Sequence, residues 1–336
     1  MYLARSCRVM VATLAMGFLS LQSSALAQYK WDMTESYSPT ALSGQAVGEF
    51  AKLVNERSGG RITITVHYNG SLGIAEKDLL SSVEQGVVPI SSTIVDKALT
   101  TLPIASVQFM PFMTGGLVEA RAMAKVVRPY IEAELAKMNQ VYLFETFGLP
   151  VGIWSKKPVN SLESLKTIKL RTNNPNSTKT FQAAGASPIF LAWSDVTPAL
   201  ATGLIDAVLT SDESGISVRF FDQLKYYTRL NFEIGIWMTH MNKTVFDKLS
   251  DDLKKVVLEA AKETGEKAYE RSLNRLDENS KTLKANGVTI TDDTPPEFRK
   301  HLLNAGGFLL DDWKKRVGAE KANKILGAFD QEKKSN

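Results

Sequence analysis

The chain has 336 residues, of which 44% are hydrophobic and 23% charged, a composition typical of a folded globular protein rather than a disordered or fibrous one. Lys and Arg number 40 against 36 Asp and Glu, so the net charge of +4 is spread thinly, which argues against nucleic acid as a partner. One cysteine and 3 histidines exclude an internal disulfide and argue against a thiolate or histidine-rich metal site, while the length favours two domains.

The first residues have the pattern of a cleaved secretory signal. Arg5 and Arg8 are followed by an apolar stretch, Val9–Leu21, and by the small residues Ala25-Leu26-Ala27. The alternative, an uncleaved membrane anchor, needs about 20 apolar residues, and this stretch is shorter. We predict cleavage after Ala27, which removes Cys7, the only cysteine. Because Cys7 precedes the apolar stretch, a lipid anchor is not indicated, and the product is expected to be a free protein of the periplasm.

Strand and helix patterns alternate along the first half of the predicted mature chain. Arg61–Tyr68 (RITITVHY) alternates apolar and polar residues, as a half-buried strand does. Val47, Phe50 and Val54 instead recur at the helical period. The predicted elements are a strand Lys30–Met33, a helix Ala41–Glu56, a strand Arg61–Tyr68, a helix Glu76–Glu84, an apolar stretch Val87–Ile94, a helix Val118–Met138 and a strand Gln140–Glu145.

The same alternation starts again near Gly148. The predicted elements are strands Ile153–Ser155 and Thr167–Thr172, a helix Ser177–Ala184, a strand Pro188–Leu191, a helix Ser194–Thr202, a strand Ala207–Thr210 and an extended segment Gly235–Met241. Ser250–Ala285 is predicted to form one helix, which at about 1.5 Å per residue is close to 50 Å long. Such a helix is long enough to contact two small domains.

This order of elements predicts an α/β fold of two domains with mainly parallel sheets. We place the signal peptide at residues 1–27. The first domain, domain I, is predicted to comprise residues 28–147 plus 237–278, and the second, domain II, residues 148–236 plus 279–336.

Motifs of enzymes are missing from the sequence. It has no G-x-S-x-G, H-E-x-x-H, C-x-x-C, G-x-G-x-x-G or Walker motif, so nucleophilic, zinc and nucleotide chemistry lack the spacing that they need. Asp206 and the pair Asp212-Glu213 are conceivable acid/base groups, but solvation or helix capping is the commoner role of such carboxylates. We therefore expect neither catalysis nor a cofactor or metal ion.

Arg171 is the strongest candidate for a binding residue. It lies at the end of a predicted strand and is followed by Asn173-Asn174-Pro175, a turn rich in hydrogen-bond donors. Ligands of parallel α/β sheets lie at the carboxyl ends of strands, and a guanidinium can bind a carboxylate through two parallel hydrogen bonds. The alternative is an exposed or salt-bridged surface arginine, and position alone leaves both roles open.

A longer stretch around Arg171 resembles the core signature of the solute-binding proteins of TRAP transporters. The matching segments are Lys169-Leu170-Arg171, Ala183–Pro188, Trp193–Val196 and Ala199–Ala207, with further matches in order at Tyr68–Gly73, Glu84–Gly86 and Met110–Phe112. The resemblance covers essentially the whole predicted mature chain.

The resemblance implies a periplasmic receptor whose two α/β domains, joined by hinge strands and the long helix, close around an organic acid. Such receptors usually act as monomers and deliver the ligand to a permease of one small and one large membrane subunit, driven by an ion gradient rather than ATP. Arg171 stands where the family arginine pairs with the ligand carboxylate, so the resemblance favours the binding role over the surface role.

Several candidate site residues depart from the family pattern. Val151 stands where some members carry a second arginine, and Thr210-Ser211 replaces a segment in which an amide contacts the carboxylate. The Thr210 hydroxyl can still donate a hydrogen bond. Trp193 and Phe147 match pocket positions, and Trp193 is larger than the phenylalanine common in the family.

Further aromatic and polar residues are expected either in the core or at the ligand. Trp154 and Trp237 are expected to pack in the core. Thr34, Glu35 and Ser36, at the end of the first strand, are expected to contact the ligand from domain I, where Glu35 would repel a second carboxylate.

One arginine surrounded by apolar groups favours a monocarboxylate with an apolar or aromatic body. A C4-dicarboxylate, the usual ligand of the family, is the main alternative. A ligand-binding sensor that acts on a signalling partner is a second alternative, and a neighbouring gene for a sensor kinase rather than for a permease would favour it.

Overall fold

The computed structural model describes residues 29–335, so the predicted signal peptide lies outside the described residues. The first elements are β1 (Tyr29–Glu35), α1 (Leu42–Arg57), β2 (Ile62–His67), α2 (Leu79–Glu84), β3 (Ile90–Ile94), α3 (Leu117–Lys137) and β4 (Gln140–Ser155). The next are α4 (Leu162–Lys166), β5 (Leu170–Thr172), α5 (Pro175–Ala183), β6 (Ile189–Phe190), α6 (Trp193–Thr202), β7 (Ala207–Ser211), α7 (Asp212–Ser217) and β8 (Tyr226–Thr228). The last are β9 (Ile234–Asn242), α8 (Lys243–Asp247), α9 (Asp251–Ala285), β10 (Thr289–Thr291), α10 (Pro296–Gly306), α11 (Phe308–Val317) and α12 (Ala319–Ser335).

The long helices α1, α3 and α9 agree with their predicted bounds to within a few residues, whereas α10, α11 and α12, of 10 to 17 residues, were not predicted. The short elements α4, α7, α8 and β8 were not predicted, because segments of three to six residues are too short to show a period. Within residues 29–335 no helix is both long enough and apolar enough to cross a membrane.

The α/β fold class is confirmed, and the sheet is mixed. Its strands follow the order β2-β1-β3-β9-β4-β7-β5-β6, with β8 and β10 paired off this path. The pairs β1–β2, β1–β3, β5–β6, β5–β7 and β8–β10 are parallel, whereas the described pairs that include β4 or β9 are antiparallel. The parallel pairs thus fall into two halves of the sheet. The first half contains β1 to β3, and the second half contains β5 to β8 and β10.

Strand β4 belongs to both halves of the sheet. Its first part pairs with β9, and residues 151–155 pair with β7 and β8. We predicted two separate strands here, because Gly148 and Pro150 interrupt the apolar pattern. The backbone instead continues through an irregularity, with a register shift against β9 between Phe147 and Pro150. A bulge tolerates proline, which has no N–H to donate to a neighbouring strand.

Helix α9, with 35 residues, contacts both halves, as predicted. Arg271 donates to Glu49 Oε2 of α1 at 2.6 Å, and Arg275 donates to Glu213 Oε1 of α7 at 2.7 Å. Ser272, between these arginines, donates to the carbonyl oxygen of Phe147 in β4 at 2.6 Å. One stretch of α9 is therefore bonded to the first half, to the second half and to the strand that they share.

The C-terminal helices pack in two places. Helix α10 packs against α5, whereas α11 packs against residues 103–109 and α12 against α3. Trp313 and Phe329 accordingly belong to the same apolar core as Met123 and Ile131. The division into domains stays a prediction, and these contacts favour placing residues 308–335 with domain I instead of domain II.

Candidate ligand-binding site

The carboxyl ends of three strands meet at one edge of the second half of the sheet. Since β5 is parallel to β6 and β7, Arg171 lies at the same edge as the chain after β6 and as Ser211 at the end of β7. Trp193 then begins α6, and Ser211 caps α7 by accepting a hydrogen bond from Ser214 N at 3.1 Å. Ligands of open α/β sheets bind at such an edge.

A cavity of about 40 Å³ lies at this edge, with walls from both halves of the sheet. Its wall residues are Tyr37, Ile94, Asp96, Lys97, Gly148, Leu149, Val151, Arg171, Asn173, Trp193, Thr210, Ser211, Ser214, Gly235 and Trp237. A groove of about 840 Å³ beside it shares Tyr37, Lys97 and Trp193. The cavity and the groove thus adjoin at these three residues.

Arg171 is 2% exposed and has unused donors. Its Nε and Nη2 donate to the Leu191 carbonyl oxygen at 3.1 and 2.9 Å, and Nη1 donates to the Leu209 carbonyl oxygen at 3.3 Å. Because a guanidinium has five N–H groups, one remains on Nη1 and one on Nη2. Each of these two N–H groups can donate to a carboxylate oxygen.

The charge of Arg171 is not neutralised by contact. Burial lowers the pKa of its guanidinium, while the nearby Tyr37, Asp96 and Glu76 act in the opposite direction through space. Arginine nevertheless remains protonated at physiological pH. Among residues 29–335 no carboxylate forms an ion pair with it. A buried cation without a partner is costly, and a bound carboxylate would supply one.

Aromatic rings enclose the cavity beside Arg171. The Tyr37 ring lies 6.5 Å from Trp193 at an interplanar angle of 28°, and it meets Trp237 edge-on at 5.1 Å. The Arg171 guanidinium lies 5.8 Å from the centre of the Trp193 ring. Because Tyr37 follows β1 and Trp193 begins α6, the stacked pair connects the two halves across the site.

Trp154 and Trp237, both expected in the core, differ in their surroundings. Trp154 is fully buried among Phe220 and Tyr227, as expected. The expectation for Trp237 was incomplete, because Trp237 is 9% exposed and also lines the cavity. Gly148 makes this position possible, since a Cβ there would lie only 2.9 Å from the Trp237 ring.

Five of the predicted site residues line the cavity: Arg171, Trp193, Thr210, Ser211 and Val151. Val151, Thr210 and Ser211 come together because β4 and β7 pair antiparallel, with Val151 opposite Ser211. The residues that the second half of the sheet contributes to the cavity wall are therefore close to those predicted from the sequence.

Phe147 does not line the cavity, although it was expected to do so. It is 2% exposed and packs edge-on against Tyr269 of α9 at 5.7 Å. The register shift after Phe147 explains the difference, because a shift by one residue moves a side chain to the other face of a sheet. Leu149 and Val151, beyond the shift, line the cavity.

The expected contacts at the end of β1 are displaced by one or more residues. Thr34 and Glu35 are 1% and 0% exposed and lie outside the cavity wall, Ser36 lines the neighbouring groove, and Tyr37 lines the cavity itself. Glu35 Oε1 accepts hydrogen bonds from Tyr37 N at 2.9 Å and Ser43 Oγ at 3.2 Å, and burial raises the pKa of Glu35 to about 7. Glu35 therefore orients the turn that carries Tyr37 and lies outside the cavity wall.

Asn174 is also turned away from the cavity. It caps α5 by accepting from Ser177 N at 2.8 Å, and its Nδ2 donates to Glu233 Oε1 at 2.7 Å. Asn173 lines the cavity instead and donates to the same Glu233 oxygen at 2.8 Å. Glu233 is 1% exposed, and burial raises its pKa to about 8.

Asp96, Lys97 and Tyr37 are wall residues that the sequence analysis missed. A signal was present for two of them, since Asp96 and Lys97 lie two and three residues after Ile94, the last residue of the predicted apolar stretch that became β3. The carboxyl-end rule that selected Arg171 would have selected them as well. Tyr37 gave no such signal, because it lies in a turn.

Among residues 29–335 no group of three or more His, Cys, Asp or Glu side chains is placed to bind a metal ion.

The chain belongs to the bacterial extracellular solute-binding proteins of family 7, the receptors of TRAP transporters. The model of this family (DctP) matches residues 33–305, which is most of the chain. The resemblance drawn from the sequence is thereby confirmed. The family consists of extracytoplasmic receptors that work with membrane permeases, and its members are not enzymes.

Individual relatives agree with this assignment. A solute-binding protein of Sulfitobacter sp. (strain NAS-14.1) is 30% identical over 69% of this chain and 71% of its own length. A Bordetella pertussis extracytoplasmic solute receptor, solved binding pyroglutamic acid, is 28% identical, with a TM-score of 0.85 over 89% of this chain and 99% of the other. A marine metagenome TRAP receptor, specific for pyroglutamate, is 27% identical, with a TM-score of 0.84 over 90% and 98%.

Proposed function

We propose that this protein is the periplasmic receptor of a TRAP transporter and binds a small monocarboxylate with a flat or apolar body. The ligand is held between the two halves of the sheet and is delivered to the membrane permease of the same system. The receptor needs no cofactor and acts as a monomer.

The observation that carries this proposal is the state of Arg171. It is buried, it has no carboxylate partner in the described chain, and two of its N–H groups are unused. A carboxylate that accepts both N–H groups would compensate the charge and form the bidentate pair for which guanidinium geometry is suited.

The rest of the wall favours a single carboxylate. Trp193 and Tyr37 offer ring surface beside Arg171, and Val151 adds an apolar side chain where a second arginine occurs in some relatives. Asp96 in the same wall is itself a carboxylate and offers no positive charge to a second ligand carboxylate. The similar receptors from Bordetella pertussis and the marine metagenome, whose ligand is a small ring with one carboxylate, support the same class.

A C4-dicarboxylate is the alternative, because Lys97 supplies a second cation to the wall. The Lys97 ammonium, however, donates to the Asn173 carbonyl oxygen and lies 3.6 Å from Asp96 Oδ1. Its charge is thus already compensated, which makes it a weaker partner for a second carboxylate than Arg171 is for the first.

A thermal-shift screen of organic acids tests the proposal. Ligand at about 100 times its dissociation constant stabilises the folded state by roughly 2.7 kcal/mol, which is readily visible. We expect stabilisation by pyroglutamate or another small monocarboxylate, and none by the same acids in an Arg171→Gln variant. Stabilisation by succinate, fumarate or malate alone would overturn the monocarboxylate assignment.

A further inference from the structure

Two buried polar atoms in the cavity wall have no hydrogen-bond partner. They are Oδ1 of Asp96, a residue that is 3% exposed, and Nε1 of Trp237, which is 9% exposed. One is an acceptor and the other a donor. Buried polar groups in native proteins are almost always paired, so two open ones in a single ligand cavity call for a partner.

Both atoms belong to the same side of the cavity. Trp237 pairs with Ile94 across the antiparallel strands β9 and β3, and Asp96 follows Ile94 in the turn Val95–Lys97. Arg171 comes from β5, in the other half of the sheet. The second half thus contributes the Arg171 cation, whereas the side formed by β9 and the end of β3 contributes Lys97 together with the unpaired acceptor and donor.

The neighbours of Asp96 balance its charge and leave Oδ1 open. Asn173 Nδ2 approaches the other carboxylate oxygen at 3.5 Å, and the Lys97 ammonium lies 3.6 Å from Oδ1, beyond hydrogen-bond distance. Lys97 instead donates to the Asn173 carbonyl oxygen. A neutral donor therefore fits Oδ1, whereas a ligand ammonium would meet the Lys97 charge as well.

We propose that the ligand carries, besides its carboxylate, a neutral group with both a donor and an acceptor, such as an amide, and that Asp96 and Trp237 bind that group. The inference rests on the proposed function, in which Arg171 binds the carboxylate. Asp96 Oδ1 accepts from the ligand N–H or O–H, and Trp237 Nε1 donates to the ligand carbonyl or hydroxyl oxygen. Asp96 and Trp237 are thus specificity-determining residues, which reject purely apolar acids.

Matched ligands that differ only in the donor test this proposal. The first pair is pyroglutamate and its lactone, 5-oxotetrahydrofuran-2-carboxylate, in which a ring oxygen replaces the N–H. The second pair is 2-hydroxy-3-methylbutanoate and 3-methylbutanoate. Affinities are measured by isothermal titration calorimetry for the full mature chain and for the variants Asp96→Asn and Asp96→Ala. The ratio within a pair is independent of how much of a variant is folded.

For the unmodified protein we expect the donor-bearing member of at least one pair to bind about 100-fold more tightly, because its analogue leaves Asp96 unpaired. In both variants the ratio should fall below about 5, since Asn can present its own N–H to the lactone oxygen and Ala presents no acceptor. Equal affinities within both pairs, or a ratio that survives Asp96→Ala, would overturn the inference.

The same titrations separate this inference from the proposed function. Equal affinities within both pairs, with binding that is lost in Arg171→Gln, would refute the role of Asp96 and leave the carboxylate receptor intact. Failure of every carboxylate to bind would refute both.

Discussion

Two arginines in neighbouring parts of the molecule have opposite environments. Arg275, on helix α9, forms an ion pair with Glu213 at 2.7 Å, and both side chains keep some contact with solvent, at 21% and 12% exposure. Arg171 is almost completely buried, and only two backbone carbonyl groups accept its hydrogen bonds. The first arginine is satisfied within the fold, whereas the second is satisfied only in part.

This difference separates structural from functional charge. The Arg275 pair connects α9 to α7, and the neighbouring Arg271 pair connects it to α1, so these ion pairs stabilise the arrangement of the two halves. A buried and unpaired cation contributes nothing comparable to stability, and its cost is consistent with a role in binding. Substitutions at the two sites should therefore have opposite consequences.

Loss of Arg171 is expected to have the largest effect on binding. Arg171→Ala should weaken carboxylate binding by about 2–5 kcal/mol, or roughly 30- to 5,000-fold, because the ligand loses its charged partner. Arg171→Lys keeps the charge but not the two parallel donors. Its affinity should therefore lie between that of the unmodified protein and that of Arg171→Ala. Calorimetric titration measures both variants. Unchanged affinity in Arg171→Ala would show that the carboxylate binds elsewhere.

Glu233 should make stability depend on pH. Burial raises its pKa from 4.5 to about 8 in the folded state. Between these values the folded state keeps a proton that the unfolded state has lost, so the free energy of unfolding falls as pH rises through this window. Glu233→Gln still accepts from Asn173 and Asn174 without titrating. Relative to the unmodified protein, its free energy of unfolding should rise by on the order of 4 kcal/mol between pH 5 and pH 9.

Urea denaturation at several pH values measures this gain. Taking the difference between variant and unmodified protein removes the similar contributions of Glu35 and Asp212, whose pKa values burial raises to about 7 and about 6. Parallel stability curves for the two proteins would contradict a protonated, buried Glu233.

Arg275→Ala should affect stability instead of binding. It leaves the nearly buried Glu213 with only Asn279 as a side-chain partner, at 3.1 Å, which should lower the free energy of unfolding by about 1–2 kcal/mol. Ligand affinity should change by less than about threefold. Arg219→Ala, which breaks an exposed pair with Asp222, is the matched control and should cost under about 0.5 kcal/mol. A large loss of affinity in Arg275→Ala would remove the distinction between the two arginines.

Trp193→Phe should have the smallest effect. The substitution replaces the indole ring that faces Tyr37 and Arg171 with a smaller phenyl ring. The affinity for the ligand should therefore fall by about 0.5–1 kcal/mol, or roughly two- to fivefold. Trp313→Phe is the control, because Trp313 is buried in the core near α3, outside the cavity wall, and should alter stability alone. Equal affinity losses in the two variants would argue against a ligand contact at Trp193.

The sequence was informative where a residue's position in a regular element determines its role. Arg171, Thr210 and Ser211 lie at strand ends, and strand ends can be recognised from alternation and turn residues. Phe147 and Asn174 lie outside the cavity wall because one register shift and one helix cap turn their side chains away. The roles of the residues remain predictions.

The first half of the sheet gave less information about its share of the site. Tyr37 reaches the cavity from a turn whose course is fixed by Glu35, two residues earlier. Trp237 reaches it because Gly148 leaves room for the ring. The second contact joins residues far apart in the chain, so residue patterns alone could not indicate it.

The most direct test of the central claim compares a carboxylate with its primary amide. The carboxylate that binds most tightly in the screen and its carboxamide are titrated into the unmodified protein by calorimetry. If Arg171 binds the carboxylate in the cavity, the acid should bind at least about 30-fold more tightly than the amide, since loss of a buried charge pair costs 2 kcal/mol or more. Equal affinities for the acid and the amide would contradict this role of Arg171.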